Sequence, residues 1–294
     1  MAMTAAEKIL ARASGRTRVS PGQYVTAAID TFMCQEGFAA VYLSLTALGI
    51  HKIHDPDRVV VILDHYVPAP TQRAASIHQI VRKGVAEFGI KKFYDINSGI
   101  CHQIMMEEGH AAPGRLIVGT DSHTCTYGAV GAAASGIGFS DMAYAMATGT
   151  LWFMVPETIR FVLSGELQDL VTSKDVILKI AGDYSSEVAE YKSVEFTGPA
   201  ARRMTIDGRM TISNMAVEIG AKFGFFEVDE TAEEYLKDRV RDDFDPLRFE
   251  DAGTISEVYE MDLSNLEPQV ALPHSVDNVK PASQVNGMEI QQAL

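Results

Sequence analysis

Residues 58–120 constrain the fold most, because apolar runs and amphipathic stretches alternate there with little between them. RVVVIL (58–63), KKFYDI (91–96) and RLIVGT (115–120) are separated by PTQRAASIHQIVRKGVAEFG (70–89) and ICHQIMMEEG (100–109). The first run is β-branched and unbroken, as expected of a strand buried on both faces. Within 70–89, Ile77, Ile80, Val81 and Val85 recur at helical spacing, and Gly89 supplies a C-terminal stop. A β-α-β-α rhythm of this kind predicts a three-layer α/β/α arrangement: an open, mostly parallel sheet with helices on both faces.

The texture changes after Pro156. TIRFVLSGEL (158–167) alternates like a half-exposed strand, and TSKDVILKIAG (172–182) reads as a helix capped by Thr172 or Ser173 and stopped by Gly182. YKSVEFTG (191–198) reads as a strand and MTISNMAVEIGAKFG (210–224) as a helix with glycines near its end. DETAEEYLKDRVRDDFDPLRFED (229–251) is acidic and mixed, which predicts a solvated helix and loop. Two units are expected, 1–155 and a second α/β subdomain over 156–294.

Bulk properties narrow the function. A formal net charge of −14 over 294 residues repels phosphate backbones, so nucleic acid is not an expected partner. No apolar run approaches the roughly 20 residues of a membrane span, and the N-terminus carries charges where a secretory segment would be apolar. Cys34, Cys101 and Cys125 are odd in number and far apart, forming neither a CxxC pair nor a disulfide framework. A reducing, cytoplasmic location fits them.

The polar residues converge on strand ends. The first strand runs into Asp64-His65, the second ends near Asp95 before a helix opening with Cys101-His102, and the third ends in Asp121-Ser122-His123. In open α/β sheets, ligands bind beyond the carboxyl ends of the strands. The remaining histidines, His51, His54, His78, His110 and His274, read as surface or satisfied core groups. An Asp-His pair can hold imidazole as a cation or orient it as a general acid. The same groups could ligate a metal directly, or hydrogen-bond a metal-bound water from a second layer. The glycines from Gly128 to Gly138 would admit close backbone approach by an anion, or equally the tight packing of a helix on the sheet. The residues by themselves indicate a polar site for a small anionic molecule, with acid–base chemistry and the metal question open.

Longer motifs then become recognisable. LDH (63–65), GTDSHT (119–124), SKDVILKIAG (173–182), ISNMAVEIGA (212–221) and VALPHSVDNVKP (270–281), with the stretch 98–149, resemble the aconitase superfamily. The likeness is strongest to its 3-isopropylmalate dehydratase and homoaconitase large subunits. It implies an aconitase-like α/β/α fold and a hydro-lyase that dehydrates and rehydrates a hydroxy-di- or tricarboxylate, most naturally 3-isopropylmalate, in leucine biosynthesis. It also implies a [4Fe-4S] cluster and a separate small (swivel) subunit. Carried onto this chain, the resemblance makes His65, paired with Asp64, the acid that protonates the departing hydroxyl. His102, Asp121 and His123 match residues around the iron-bound water, Glu218 matches a carboxylate completing that network, and Asn214 a residue supporting the cluster. Gln35, Ser122, Thr126 and Asn214 fall at substrate-side positions.

Two departures accompany the match. Gln35-Glu36 stands where the isopropylmalate branch usually has histidine and aspartate, and Thr126 where aconitase has asparagine. Moreover, Cys34, Cys101 and Cys125 do not match the family's cluster ligands, which would follow VNGMEIQQAL. The expectation is therefore an N-terminal portion of a large subunit, inactive without the cluster-bearing C-terminal domain, with no metal ligand of its own. A cluster-free carboxylate-binding or regulatory module, a direct metal hydro-lyase, and half of a split homoaconitase or methylmalate-type dehydratase are the competing readings.

Overall fold

The computed structural model describes residues 3–241, 243–244, 246–249 and 254–292. The first half runs α1 (Ala5–Ala13), β1 (Tyr24–Ala28), β2 (Thr31–Cys34), α2 (Phe38–Ala47), β3 (Val59–Ile62), α3 (Gln72–Phe88), β4 (Lys92–Tyr94), α4 (Cys101–Glu107), β5 (Leu116–Gly119), β6 (Ala133–Gly136), α5 (Phe139–Thr148) and β7 (Thr150–Met154). The second runs β8 (Thr158–Ser164), α6 (Ser173–Tyr184), β9 (Ser193–Thr197), α7 (Pro199–Arg203), α8 (Ile206–Asn214), β10 (Phe223–Phe226), α9 (Glu230–Leu236), β11 (Ile255–Asp262), β12 (Gln269–Ala271) and β13 (Val279–Pro281). Among the described residues no helix is long and apolar enough to cross a membrane.

A mixed α/β fold with parallel sheets results, as the alternating rhythm predicts. The first sheet has the order β4-β3-β2-β5-β6, with every pair parallel. β3 and β5 are buried along their whole length, which explains why VVVI and LIVG carry no polar face. The order reverses between β2 and β5, so their carboxyl ends diverge into a crevice where a ligand can enter. A second parallel sheet, β10-β9-β8-β11, fills the other half, and β1-β7 and β12-β13 form short antiparallel pairs.

Three local readings change. Gly182 does not stop α6, which continues to Tyr184; a Cβ there would sit 2.8 Å from Val279 Cβ, so the glycine admits β13 against the helix. The stretch 210–224 is not one helix. α8 ends at Asn214, a 3-10 turn covers Met215–Ile219, Gly220 takes φ 82°, and the aromatic run FGFF becomes the buried strand β10. The acidic segment forms α9, but it is not merely solvated. Asp229, its N-cap, pairs at 2.7 Å with Arg209, a fully buried guanidinium that also donates to the carbonyls of Met204, Glu227 and Arg202. Positions 242, 245 and 250–251 of that segment lie outside the described residues.

The two halves share their packing. Ile206, Met210, Phe223 and Phe225 belong to the first hydrophobic cluster, whereas Cys125 belongs to the second. At the seam Gly128 meets β10 so closely that a Cβ would fall 1.6 Å from the Gly224 carbonyl oxygen. Of the two roles open to the glycines, close packing is the one seen at Gly128, and at Gly136, where a Cβ would meet the Asp121 carbonyl at 2.5 Å. Gly128→Ala should therefore cost about 3 kcal/mol, the upper end for overpacked cores, in urea unfolding of the purified chain. A loss below about 0.5 kcal/mol, the level of a neutral surface change, would show that the seam yields.

Candidate active site

Three chain segments bring side chains to the crevice. From the β2–α2 connection come Gln35 and Glu36; from the end of β3 come Asp64 and His65; from the end of β5 come Asp121, Ser122 and His123. α4 adds His102 by an unusual route. Its N-cap, Ile100, has no capping side chain, and the Asp64 carboxylate instead accepts the Cys101 backbone N–H at 2.6 Å. Asp64 thus ties the start of α4 to the β3 end, and His102 follows one residue later.

Asp121 is the hub. Its Oδ2 lies 3.1 Å from His65 Nε2, and its Oδ1 lies 3.0 Å from His102 Nε2 while accepting the His123 backbone N–H at 2.7 Å. Burial opposes ionisation of this carboxyl, but the hydrogen bonds from His102, His123 and His65 outweigh it and hold it far below the usual carboxylate range. His65 is gripped at both ring nitrogens, since Nδ1 stands 2.7 Å from Asp64 Oδ1. The bond to Asp121, then that to Asp64, lifts its pKa to about 10. At neutral pH it is an imidazolium, with 40% of its side chain exposed. Asp64 is 7% exposed; burial opposes its ionisation, yet the contacts from His65 and Cys101 bring its pKa down.

His123 is also raised, by Asp121 first and then by Glu218, whose Oε1 lies 3.2 Å from its Nε2. Ser122 Oγ lies 3.2 Å from the other ring nitrogen. His102 Nδ1 stands 3.1 Å from the Tyr127 hydroxyl. Burial pushes that hydroxyl's pKa well up, so it remains a donor able to reach Nδ1 while Nε2–H donates to Asp121.

All six residues named for acid–base work thus meet in one network: Asp64, His65, His102, Asp121, His123 and Glu218. The four substrate-side residues are more dispersed. Ser122 is exposed at the rim. Gln35 accepts the Gly37 N–H and donates to the Thr120 carbonyl at 3.3 Å, so its amide holds backbone. Thr126 is 2% exposed, donating to the His123 carbonyl at 2.6 Å and accepting from Asn214 at 2.8 Å. Asp95 does not join; its carboxylate is taken by Arg82 at 2.7 Å.

Sequence reasoning missed three contributors. Glu36, 4% exposed, accepts the backbone N–H groups of His65 and Tyr66 at 3.2 and 3.0 Å and faces His78 Nε2 at 3.3 Å, so a histidine read as a bystander braces the His65 loop. Tyr127 is the second contributor. The third is Lys222, which lines a cavity of about 570 Å3 together with Asp121 and Ser122. A second cavity, of about 470 Å3, is lined by His102, Thr126 and Asn214, so the network stands between two open spaces. One oxygen each of Glu36 and Asp64 and a ring nitrogen of His65 lie within 4.8 Å of one another, close enough for a cation; those carboxylates already accept the amides just described.

A family model described as "Aconitase family (aconitate hydratase)" matches residues 7–294. The chain belongs to this family. It is 48% identical over 296 residues to the probable 3-isopropylmalate dehydratase large subunit of Methanothermobacter thermautotrophicus, covering 100% of this chain and 70% of that protein. Large subunit 1 of 3-isopropylmalate dehydratase from Methanopyrus kandleri is 45% identical over 295 residues, with the same shares covered. A probable methanogen homoaconitase large subunit, also from Methanothermobacter thermautotrophicus, is 43% identical over 297 residues, covering 99% of this chain and 69% of that protein.

The doubly held imidazolium is directly measurable. NMR titration should find His65 charged at pH 7 and losing its proton near pH 10. Asp121→Asn should bring that midpoint down by about one unit or more, the effect of removing one adjacent carboxylate. A wild-type midpoint near 6.5, the free imidazole value, would mean that the two carboxylates do not hold the ring.

Proposed function

We propose that this chain supplies the proton-handling face of a hydro-lyase that removes water from a hydroxy-dicarboxylate and adds it back, with 3-isopropylmalate the foremost substrate. The observation that carries this reading is His65, an exposed imidazolium fixed between two buried carboxylates. A hydroxyl leaves far more readily as water than as hydroxide, so elimination needs a proton delivered to that oxygen. His65 can deliver it from one ring nitrogen when the substrate hydroxyl displaces that nitrogen's carboxylate, while the carboxylate on the other nitrogen keeps the ring from turning away. Rehydration reverses the step, and the same nitrogen recovers its proton. The network reaches one cavity through Asp121 and Ser122 and the other through His102, and the His123–Glu218 pair, 35% and 39% exposed, links it to solvent.

An iron–sulfur cluster is part of what the family resemblance implies, and the cysteines of this chain do not suit its ligation. Cys34 and Cys125 are buried, with their thiol pKa pushed up to about 12, and burial raises Cys101 further still. Cluster ligation needs thiolates, so these three residues support packing instead. Substrate choice rests on the two isopropylmalate relatives against one homoaconitase, and Gln35-Glu36 marks the position where this chain differs within that branch.

The reaction is tested in enzyme assembled with a cluster-bearing segment and a small subunit from a relative. His65→Asn should lower turnover about 10²–10⁴-fold, the range for general acids, with iron content and folded fraction unchanged. Asp64→Asn should cost less, because the imidazolium keeps Asp121. Normal turnover per folded molecule in His65→Asn would rule out the acid role.

A further inference from the structure

Lys222 has a setting that the proton network does not use. It follows Ala221, between the Gly220 turn and β10, and its backbone N–H is fixed to the Lys192 carbonyl at 2.8 Å. Its ammonium lies between aromatic faces, 5.7 Å from the Phe153 ring centre and 5.6 Å from that of Tyr191. Among the described residues it makes no hydrogen bond and no ion pair. A desolvated ammonium with three unused donors is costly to keep unless something fills its coordination.

The space beside it is the cavity of about 570 Å3, and Lys222 is the only cation among its lining residues. Two kinds of neutral donor border the same space. Ser122 brings its hydroxyl, and Gly136–Gly138 lead into α5, a ten-residue helix whose N-cap, Gly138, has no capping side chain. The first amides of such a helix are free donors carrying the positive end of its dipole. An unpartnered ammonium, a hydroxyl and a helix N-terminus around one cavity are the donor set for a carboxylate. Asp121 borders the cavity too, so its occupant lies against the histidine network.

We propose that Lys222 anchors a carboxylate of the substrate in this cavity, with Ser122 and the N-terminal amides of α5 completing the contact. The proposal rests on the hydroxy-dicarboxylate reading of the neighbouring site and gives it a specificity residue.

The titratable groups facing Lys222 set its pH behaviour. Asp141, in the first turn of α5, attracts it through space; Asp121 is saturated by histidines, Glu190 is exposed, and burial keeps Tyr191 and Cys125 protonated. Desolvation brings the Lys222 pKa down to about 8. The sign follows. A carboxylate prefers the ammonium, so affinity is full below pH 8 and falls above it.

Calorimetry on the purified chain with 3-isopropylmalate as probe tests this directly. Lys222→Met should weaken binding about tenfold or more, as loss of a charged hydrogen bond implies, while Lys222→Arg should retain most of the affinity. Equal binding by Lys222→Met, or binding of inorganic phosphate in place of the dicarboxylate, would overturn the anchor. Should Lys222→Met fail to fold, the wild-type pH series decides, and affinity unchanged up to pH 9.5 would overturn it equally. Turnover of His65→Asn speaks to the acid alone, so either proposal can fail while the other stands.

Discussion

The Asp121 carboxylate is the contact on which the site depends. A carboxylate offers about four acceptor positions, and here they receive two imidazole N–H groups and the backbone N–H of His123. Its side chain is only 12% exposed, so withdrawal of these donors would leave a buried charge unpaired. The relationship runs both ways. Asp121 keeps His65 cationic and favours the charged form of His123, and the histidines keep Asp121 ionised in a place that would otherwise protonate it. None of these states exists alone; the cluster titrates as one unit.

What puts Asp121 there is backbone geometry at the point where the sheet order reverses. β2, β3 and β5 are parallel neighbours, so their carboxyl ends deliver Glu36, Asp64-His65 and Asp121-Ser122-His123 to one edge. Small residues let the rest approach. Gly136 allows β6 to pass against the Asp121 carbonyl, and Gly128 allows the 3-10 helix Ser122–Val130 to lie against β10. That second approach places Glu218 and Asn214, 95 and 88 positions away in the chain, beside His123 and Thr126. Arg209, in α8, joins that helix to the residues after β10 through Asp229 and the Glu227 carbonyl and to the end of α7 through the Arg202 and Met204 carbonyls, which fixes α8 and so Asn214. Such a residue reports on the site only through the elements that it joins.

The legible part of this arrangement is the part written in periodicity. VVVI and LIVG declare buried strands, and an acid and an imidazole directly after such strands must emerge at the sheet's edge. β6 is not legible because AASG has neither β-branched residues nor alternation; it is a strand because its backbone pairs with β5 from Leu116–Ala133 to Gly119–Gly136, not by propensity. The first half of FGFF, Phe223-Gly224, falls inside the expected helix for a related reason, since a short apolar run cannot be told from a helix end by pattern. Glu36 and His78 were invisible as a pair, because their contact spans a strand connection and a helix face. The same holds for Lys222 and Ser122, which belong to different halves and meet only across a cavity. Local order is readable one element at a time, whereas a site assembled across a seam needs the packing that closes it.

The charge balance resolves an apparent conflict between an acidic protein and an acidic substrate. A formal net charge of −14 would repel a dicarboxylate at long range, but screening confines such fields to about 8 Å at physiological salt. Within that radius accessibility decides the sign. Asp64 and Asp121 are 7% and 12% exposed and are spent on N–H donors, whereas the His65 imidazolium is 40% exposed. Substrate therefore meets that cation before either of its two carboxylates, and meets Glu218, 39% exposed, in its pairing with His123. Lys222 extends the same asymmetry into the larger cavity, with a cation facing open space and its aromatic neighbours turned to its flanks. Asp64 and Asp121 make the His65 cation persistent, and their low exposure keeps those two charges out of the substrate's way.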